Sequence, residues 1–239
     1  MEVNFSTRAG ITEIMDDLQC SGEVVDQTLR ELEIINKWLG GNGVTVSGIG
    51  KILKGSKPPR PLEITDLGCG GGDILKGIAI WGRRKKLLLK LTGVDANPHI
   101  VSFAKENCAD FKEIHFLEQD VFSEKFKQGA FDIAIATLFA HHFSTRELVQ
   151  LFQSLKDQCR MGFVINDLHR HWFAFHSIRL LTKWFSKSPM VKFDAPVSVL
   201  RSFTRPEIES ILAQAGITNY SLSWKWAFRW QLVVPSNLA

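Results

Sequence analysis

Cysteine is scarce in this chain of 239 residues: Cys20, Cys69, Cys108 and Cys159 are scattered, and no two stand in C-x-x-C spacing. That excludes a zinc-ribbon or disulfide-framework reading and suits a reducing cytoplasm. No uninterrupted apolar run approaches the roughly 20 residues of a membrane span. Met1 to Asp17 mixes acids and polar residues with isolated apolar ones, without the apolar centre of a signal peptide. There is no internal repeat, no low-complexity segment and no tail of one charge. The formal charge of +4 neither demands nor excludes an anionic partner. A dinucleotide fingerprint, G-x-G-x-x-G, is missing as well. What remains is a cytoplasmic globular chain, 45% hydrophobic, long enough for one α/β domain with a modest extension.

Its most informative stretch is Asp66-Leu67-Gly68-Cys69-Gly70-Gly71-Gly72. It follows the strand-like run Leu62 to Asp66 and precedes a helical pattern from Asp73 to Trp81. Glycine at 68 and 70 permits backbone angles that other residues resist and a close approach of a ligand to the main chain. The helix start behind them offers free N–H groups. An acid ahead of the glycines repels a pyrophosphate and welcomes a cation, so a nicotinamide dinucleotide is disfavoured.

Downstream, strands and helices alternate. Strands are expected at Leu87 to Asp95, Ile114 to Asp120, Phe131 to Thr137 and Met161 to Asp167. Helices are expected at Pro98 to Cys108 and Thr145 to Lys156, with Thr145 as a cap. Gly82 to Lys86 reads as a solvated basic loop. This alternation predicts a parallel sheet with right-handed crossovers. Thr204-Arg205-Pro206-Glu207 reads as a capping box opening a helix to Ala215. Ile217 to Trp226 and Phe228 to Val234 read as a closing hairpin. Ahead of the domain, Glu23 to Leu39 is helical, Val44 to Leu53 is of uncertain type, and Lys57 to Pro61 is a stiff connector.

Two further acids end strands. Asp95, in Gly93-Val94-Asp95-Ala96, can accept from both ribose hydroxyls of a nucleoside, or else cap the next helix, as Asn97 could. Asp120, in Glu118-Gln119-Asp120-Val121-Phe122, can accept from an adenine amino group while Val121 or Phe122 covers the ring. Ligands of open α/β sheets bind at such strand ends. His141 and His142 leave the sheet after strand four, and His169 follows strand five in Asp167-Leu168-His169-Arg170-His171. An imidazole takes a proton near neutral pH, and a phenol needs such a base to become a good nucleophile. His142 and His169 are the base candidates, Asp167 could orient an imidazole, and Arg170 could recognise a carboxylate or phosphate. Solvent-facing or packed histidines and a helix cap are the plain alternatives.

Together the acid-x-G-x-G-x-G loop, Asp95-Ala-Asn-Pro, Asp120-Val121 and strand four resemble the motifs of class I S-adenosylmethionine-dependent methyltransferases, over residues 61–239. The resemblance implies a Rossmann-like α/β fold: a mostly parallel seven-stranded sheet with an antiparallel last strand and helices on both faces. It implies S-adenosylmethionine as cofactor, with S-adenosylhomocysteine as product. Asp66, Gly68, Cys69, Gly70, Asp95, Ala96, Asp120, Val121 and Thr137 would line its site. The Asn-Pro-Pro-aromatic tetrad of amino-methylating nucleic-acid and protein enzymes is absent, and no acid at the end of strand four starts a catechol-type metal site, so no metal is expected. Residues 1–60 would be a helical cover of the pocket.

Residues 168–203 would be a lid, rich in Trp172, Phe173, Trp184 and Phe185 and interleaved with Arg179, Lys183 and Lys187. An apolar lid fits an apolar acceptor, and a basic amphipathic helix can lie on a membrane surface. The wording Asn166 to His171 and Asp194 to Thr204 resembles a bacterial subgroup associated with polyketide or quinone-like products, a branch of secondary metabolism. The expectation is O-methylation of a small hydrophobic or phenolic acceptor. C-methylation of a quinone-like ring, a nucleic-acid methyltransferase and a non-catalytic cofactor-binding protein are the alternatives.

Overall fold

The computed structural model describes residues 3–54 and 60–236; Lys57 to Pro59 of the expected connector lie outside them. Seven strands form one sheet in the order β3-β2-β1-β4-β5-β7-β6. They are β1 Leu62–Leu67, β2 Leu89–Asp95, β3 Ile114–Glu118, β4 Phe131–Thr137, β5 Cys159–Leu168, β6 Ser221–Lys225 and β7 Arg229–Pro235. The first five are mutually parallel, and β7 runs antiparallel between β5 and β6. The order reverses at β1, whose neighbours β2 and β4 leave a crevice at their carboxyl ends.

Each strand face has its own core. Ile64, Ile133 and Ile135 pack beneath α2 (Gly41–Leu53), α3 (Asp73–Lys85) and α4 (Pro98–Asn107). Leu67, Ala134 and Ala136 face α6 (Thr145–Gln158) and α9 (Arg205–Gln214). Residues one apart on a strand point to opposite faces, so this alternation is what a doubly covered sheet requires.

Several local expectations are decided or corrected. Val44 to Leu53 is the body of α2, a glycine-rich helix that lies on β5 and β7 because glycine lets it come close: a Cβ at Gly48 would stand 2.6 Å from Val164 Cγ1. Gly82 to Lys85 is the last turn of α3 rather than a loop, and its Arg83, Arg84 and Lys85 suit the negative end of the helix dipole. Ser144, not Thr145, caps α6, in a capping box with Glu147. The Thr204–Glu207 capping box at α9 is present as expected.

After β5 come α7 (Trp172–Phe185) and α8 (Pro189–Arg201), packed on each other. The segment from Phe5 to Cys20 crosses α8, and α1 (Glu23–Trp38) follows it. Asp194 of α8 accepts from the backbone N–H of Ile14 at 2.8 Å and of Met15 at 3.2 Å. Arg8 donates to the carbonyls of Arg201, His141 and Phe143. No helix of the described residues is long and apolar enough to cross a membrane.

Candidate functional site

A cavity of about 850 Å³ opens at the carboxyl ends of β1, β2 and β4. The glycine loop forms its floor. Gly68, Gly70 and Gly72 take φ of 64°, 49° and 79°, the left-handed region where a side chain is strained. At Gly68 the demand is also steric, since a Cβ would lie 2.0 Å from the Phe139 ring. Gly70 N–H donates to Asp95 Oδ2 at 3.3 Å, which ties the loop to the end of β2.

Every residue expected around the cofactor lines this cavity: Asp66, Gly68, Cys69 and Gly70 from the first loop, Asp95 and Ala96 after β2, Asp120 and Val121 after β3, and Thr137 ending β4. Their chemical states differ. Asp66 is fully buried, and neither carboxylate oxygen has a partner among the described residues. Burial pushes its pKa well above the usual carboxylate range, and the charges of Asp73 and Asp95 push it further. Burial also raises Asp95, against N–H bonds from Asn97, Gly70 and Ala96 that favour its charge. The Asn97 side chain caps α4, accepting from His99 and Ile100, so Asp95 is not needed there. Asp120 accepts from Phe122 N–H at 2.8 Å and is otherwise exposed. Thr137 Oγ1 lies 2.8 Å from Thr45 Oγ1. Burial lifts the Cys69 thiol far above its ordinary pKa, which makes it inert.

Two buried groups of the opposite sign also line the cavity, Arg201 and Arg229. Arg229, at the start of β7, is 1% exposed. Its Nη2 donates to Asn36 Oδ1 at 2.9 Å and its Nη1 to Asn166 Oδ1 at 3.5 Å, while among the described residues its Nε has no partner and it forms no ion pair. Burial pulls its pKa down to about 10, against the field of Asp167 and Asp73. Asp73 acts on both Asp66 and Arg229. Sequence reasoning missed Arg229, because an arginine in a closing strand carries no motif.

Beyond the glycine loop two imidazole–carboxylate pairs stand side by side, their rings 4.3 Å apart. His141 Nδ1 lies 2.7 Å from Asp167 Oδ1, and its backbone N–H meets Oδ2 at 3.1 Å. Burial opposes the charge of Asp167, yet His141 holds its pKa below the ordinary value. His142 Nδ1 lies 2.5 Å from Asp16 Oδ1. Asp16 is also paired with Arg201; these partners outweigh burial and keep it strongly acidic. Glu13 places Oε1 3.5 Å from His141 Nε2 and 3.6 Å from Arg201 Nη1, and burial pushes its pKa up to about 7. Glu13, His141 and His142 bring ligand atoms within 4.8 Å of one another, but Arg201 already brings a cation to that cluster. Glu13 and Asp16 come from the crossing segment, where isolated acids give no signal in the sequence.

Two expected residues are elsewhere. His169 does not line the cavity; its ring packs 5.0 Å from the Trp230 ring, and burial lowers its pKa. Arg170 is buried and spent on the carbonyls of Phe5, Ser6 and Ser202 and on Glu207, so no substrate anion can reach it. The far wall of the cavity is apolar, with Phe173, Ile178, Leu181, Val191, Val199 and Phe228.

Comparison with known proteins agrees with this geometry. Residues 64–162 match the family described as a methyltransferase domain. No curated protein matches the chain in sequence. Among solved structures, human N-acetylserotonin methyltransferase with S-adenosylmethionine is similar at TM-score 0.63 and 15% identity, over 89% of this chain. This chain spans only 55% of that enzyme's length. The plantazolicin methyltransferase BpumL, with S-adenosylhomocysteine, is similar at TM-score 0.62 and 16% identity, over 90% of this chain and 100% of its own. Magnesium protoporphyrin IX methyltransferase of Synechocystis PCC 6803 is similar at TM-score 0.55 and 16% identity, over 93% of this chain and 89% of its own. The chain has the fold of the class I, S-adenosylmethionine-dependent methyltransferases, and residues 64–162 of it are similar to a methyltransferase domain.

Proposed function

We propose that this chain transfers a methyl group from S-adenosylmethionine to an oxygen of a small apolar or phenolic acceptor. One observation carries the reading. The cavity holds a buried carboxyl, Asp66, and a buried guanidinium, Arg229, both with unpartnered atoms, above a left-handed glycine loop. Unpaired buried charges are costly. A ligand with an ammonium and a carboxylate at one end satisfies both, and the amino-acid end of the cofactor is such a zwitterion. The Asp95 carboxylate is suited to the ribose hydroxyls. Asp120, Ala96 and Val121 are suited to the adenine.

When bound, the cofactor supplies a methyl group made electrophilic by its sulfonium. The protein's own work is to hold the acceptor in line, keep water out and take its proton. His142 is the base. Its Nδ1 is fixed by Asp16, which leaves Nε2 as the proton acceptor, and its side chain is 22% exposed. His141 is almost closed off, and its Nε2 faces Glu13; with Asp167 it positions its neighbour. Residues 3–54 would close one side of the acceptor space and residues 168–203 the other; Leu18 and Leu32 from the first and Ile178 and Leu181 from the second belong to the cavity lining. The chain would work in the cytoplasm, in secondary metabolism of polyketide or quinone-like compounds.

Methyl transfer from labelled S-adenosylmethionine to a panel of phenols and quinols tests this. His142→Ala should lower turnover by about a hundredfold or more, the scale of a lost general base, with cofactor affinity retained. If turnover survives in His142→Ala and falls only in His141→Ala, the base assignment is wrong. Product analysis separates O- from C-methylation.

A further inference from the structure

The outer face of α7 is left unpartnered. Trp172, Leu180, Trp184 and Phe185 are 57%, 59%, 73% and 82% exposed, large values for such side chains. Helical spacing explains the grouping of Trp172, Leu180 and Trp184: Ala174, Phe175 and Thr182 take the buried stripe, packed towards α8, and these three lie on the other side, while Phe185 is exposed as the last residue of the helix. The aromatic surface continues beyond the helix. Phe173 lies 5.8 Å from Phe228, and Phe228 lies 5.8 Å from Trp224 in the β6–β7 hairpin, where Trp226 is 70% exposed. A patch of this kind marks an interaction surface.

Its charge says what it meets. From Leu168 to Phe193 there is no acidic residue. Arg179, Lys183, Lys187 and Lys192 are exposed and form no ion pair among the described residues. Glu31, which reaches the end of α7, is turned onto Ser186 and the backbone of Lys187 and Ser188 and forms no ion pair with these bases among the described residues. Exposed tryptophan and phenylalanine among lysines on one helix face is the pattern of a helix lying in the interface of a bilayer, drawn in by anionic headgroups. The patch also adjoins the cavity: Phe173, Leu181, Trp226 and Phe228 belong to the cavity lining, and the first three are also well exposed.

We propose that α7 and the β6–β7 hairpin dock this protein on an anionic membrane surface, so that the cavity opens towards the apolar layer and takes its acceptor from it. The docking face does not depend on the chemistry of the cavity. The supply of a lipophilic acceptor rests on the methyl-transfer reading.

Flotation of the full chain with vesicles tests the docking without cofactor or acceptor. The chain should float with vesicles containing phosphatidylglycerol, weakly with phosphatidylcholine alone, and less at high salt. Lys183→Glu/Lys187→Glu and Trp184→Ser/Phe185→Ser should each weaken binding by about tenfold or more, each basic residue contributing about 1 kcal/mol near such a surface. None of the four residues lines the cavity, so cofactor affinity should stay unchanged and report that the variants are folded. The proposal is overturned if the chain floats with neither vesicle, or if it binds both alike with no effect of charge reversal. It is overturned equally if the chain is a stable dimer that Trp184→Ser/Phe185→Ser makes monomeric, which would assign the face to self-association. Docking without methyl transfer would leave this surface standing and remove the reaction.

Discussion

At the scale of single residues, burial does most of the chemistry. Asp66, Asp95 and Glu13 all carry raised pKa values with burial as the largest cause. Glu13 has a consequence for stability. Its pKa rises from 4.5 to about 7 on folding, so the native state holds the proton more tightly than the unfolded chain. That stabilisation is complete below the unfolded pKa and is lost as pH rises through the folded one. Glu13→Gln keeps an acceptor for Ser198 and has no proton to lose. Urea unfolding from pH 4.5 to 8 should show wild type falling relative to Glu13→Gln by about 3 kcal/mol. Parallel pH profiles would show that Glu13 is not held protonated. The sequence made Asp66, Asp95 and Asp120 legible because each ends a strand beside a recognisable neighbour. It hid Glu13, Asp16 and Arg229, whose roles arise only when distant segments meet, as when His142 meets Asp16.

At the scale of elements, the hydrophobic period and the capping signals carried most of the fold. The capping box at Thr204 and the exact span Phe131–Thr137 were readable, because the first is local chemistry and the second a continuous buried run. The helix α2 was not, because Gly41, Gly43, Gly48 and Gly50 depress its intrinsic propensity. Tertiary packing overrides that: Gly48 is small so that the helix can touch Val164. Gly48→Leu should therefore lower stability by about 1–3 kcal/mol through overpacking. At Gly50 nothing lies within 4 Å of an added Cβ, and Gly50→Ala should stabilise by about 0.5–1 kcal/mol. Thermal unfolding of the two variants checks the contrast. Equal melting temperatures would mean that α2 does not lie this close to the sheet.

At the scale of the whole molecule, the sheet gathers the ends of β1, β2, β3 and β4 at one crevice, and the segments outside the sheet finish it. The crossing segment contributes Glu13 and Asp16, α1 and α8 contribute walls, and β7 returns to place Arg229. The parallel body of the sheet was legible because alternating strands and helices admit few topologies. The placement of the outer segments was not, since it depends on pairings such as Asp194 with Ile14 and Arg8 with Arg201 that have no periodic signature.

The central claim is that the buried pair Asp66 and Arg229 holds the amino-acid end of S-adenosylmethionine. Calorimetric titration of wild type, Asp66→Asn and Arg229→Met with S-adenosylmethionine and S-adenosylhomocysteine tests it most directly. Wild type should bind both ligands in the micromolar range, and each variant should bind them about tenfold to a hundredfold more weakly, the range of a lost charge-assisted hydrogen bond. A folded wild type that binds neither ligand, or folded variants that bind as wild type does, would contradict it.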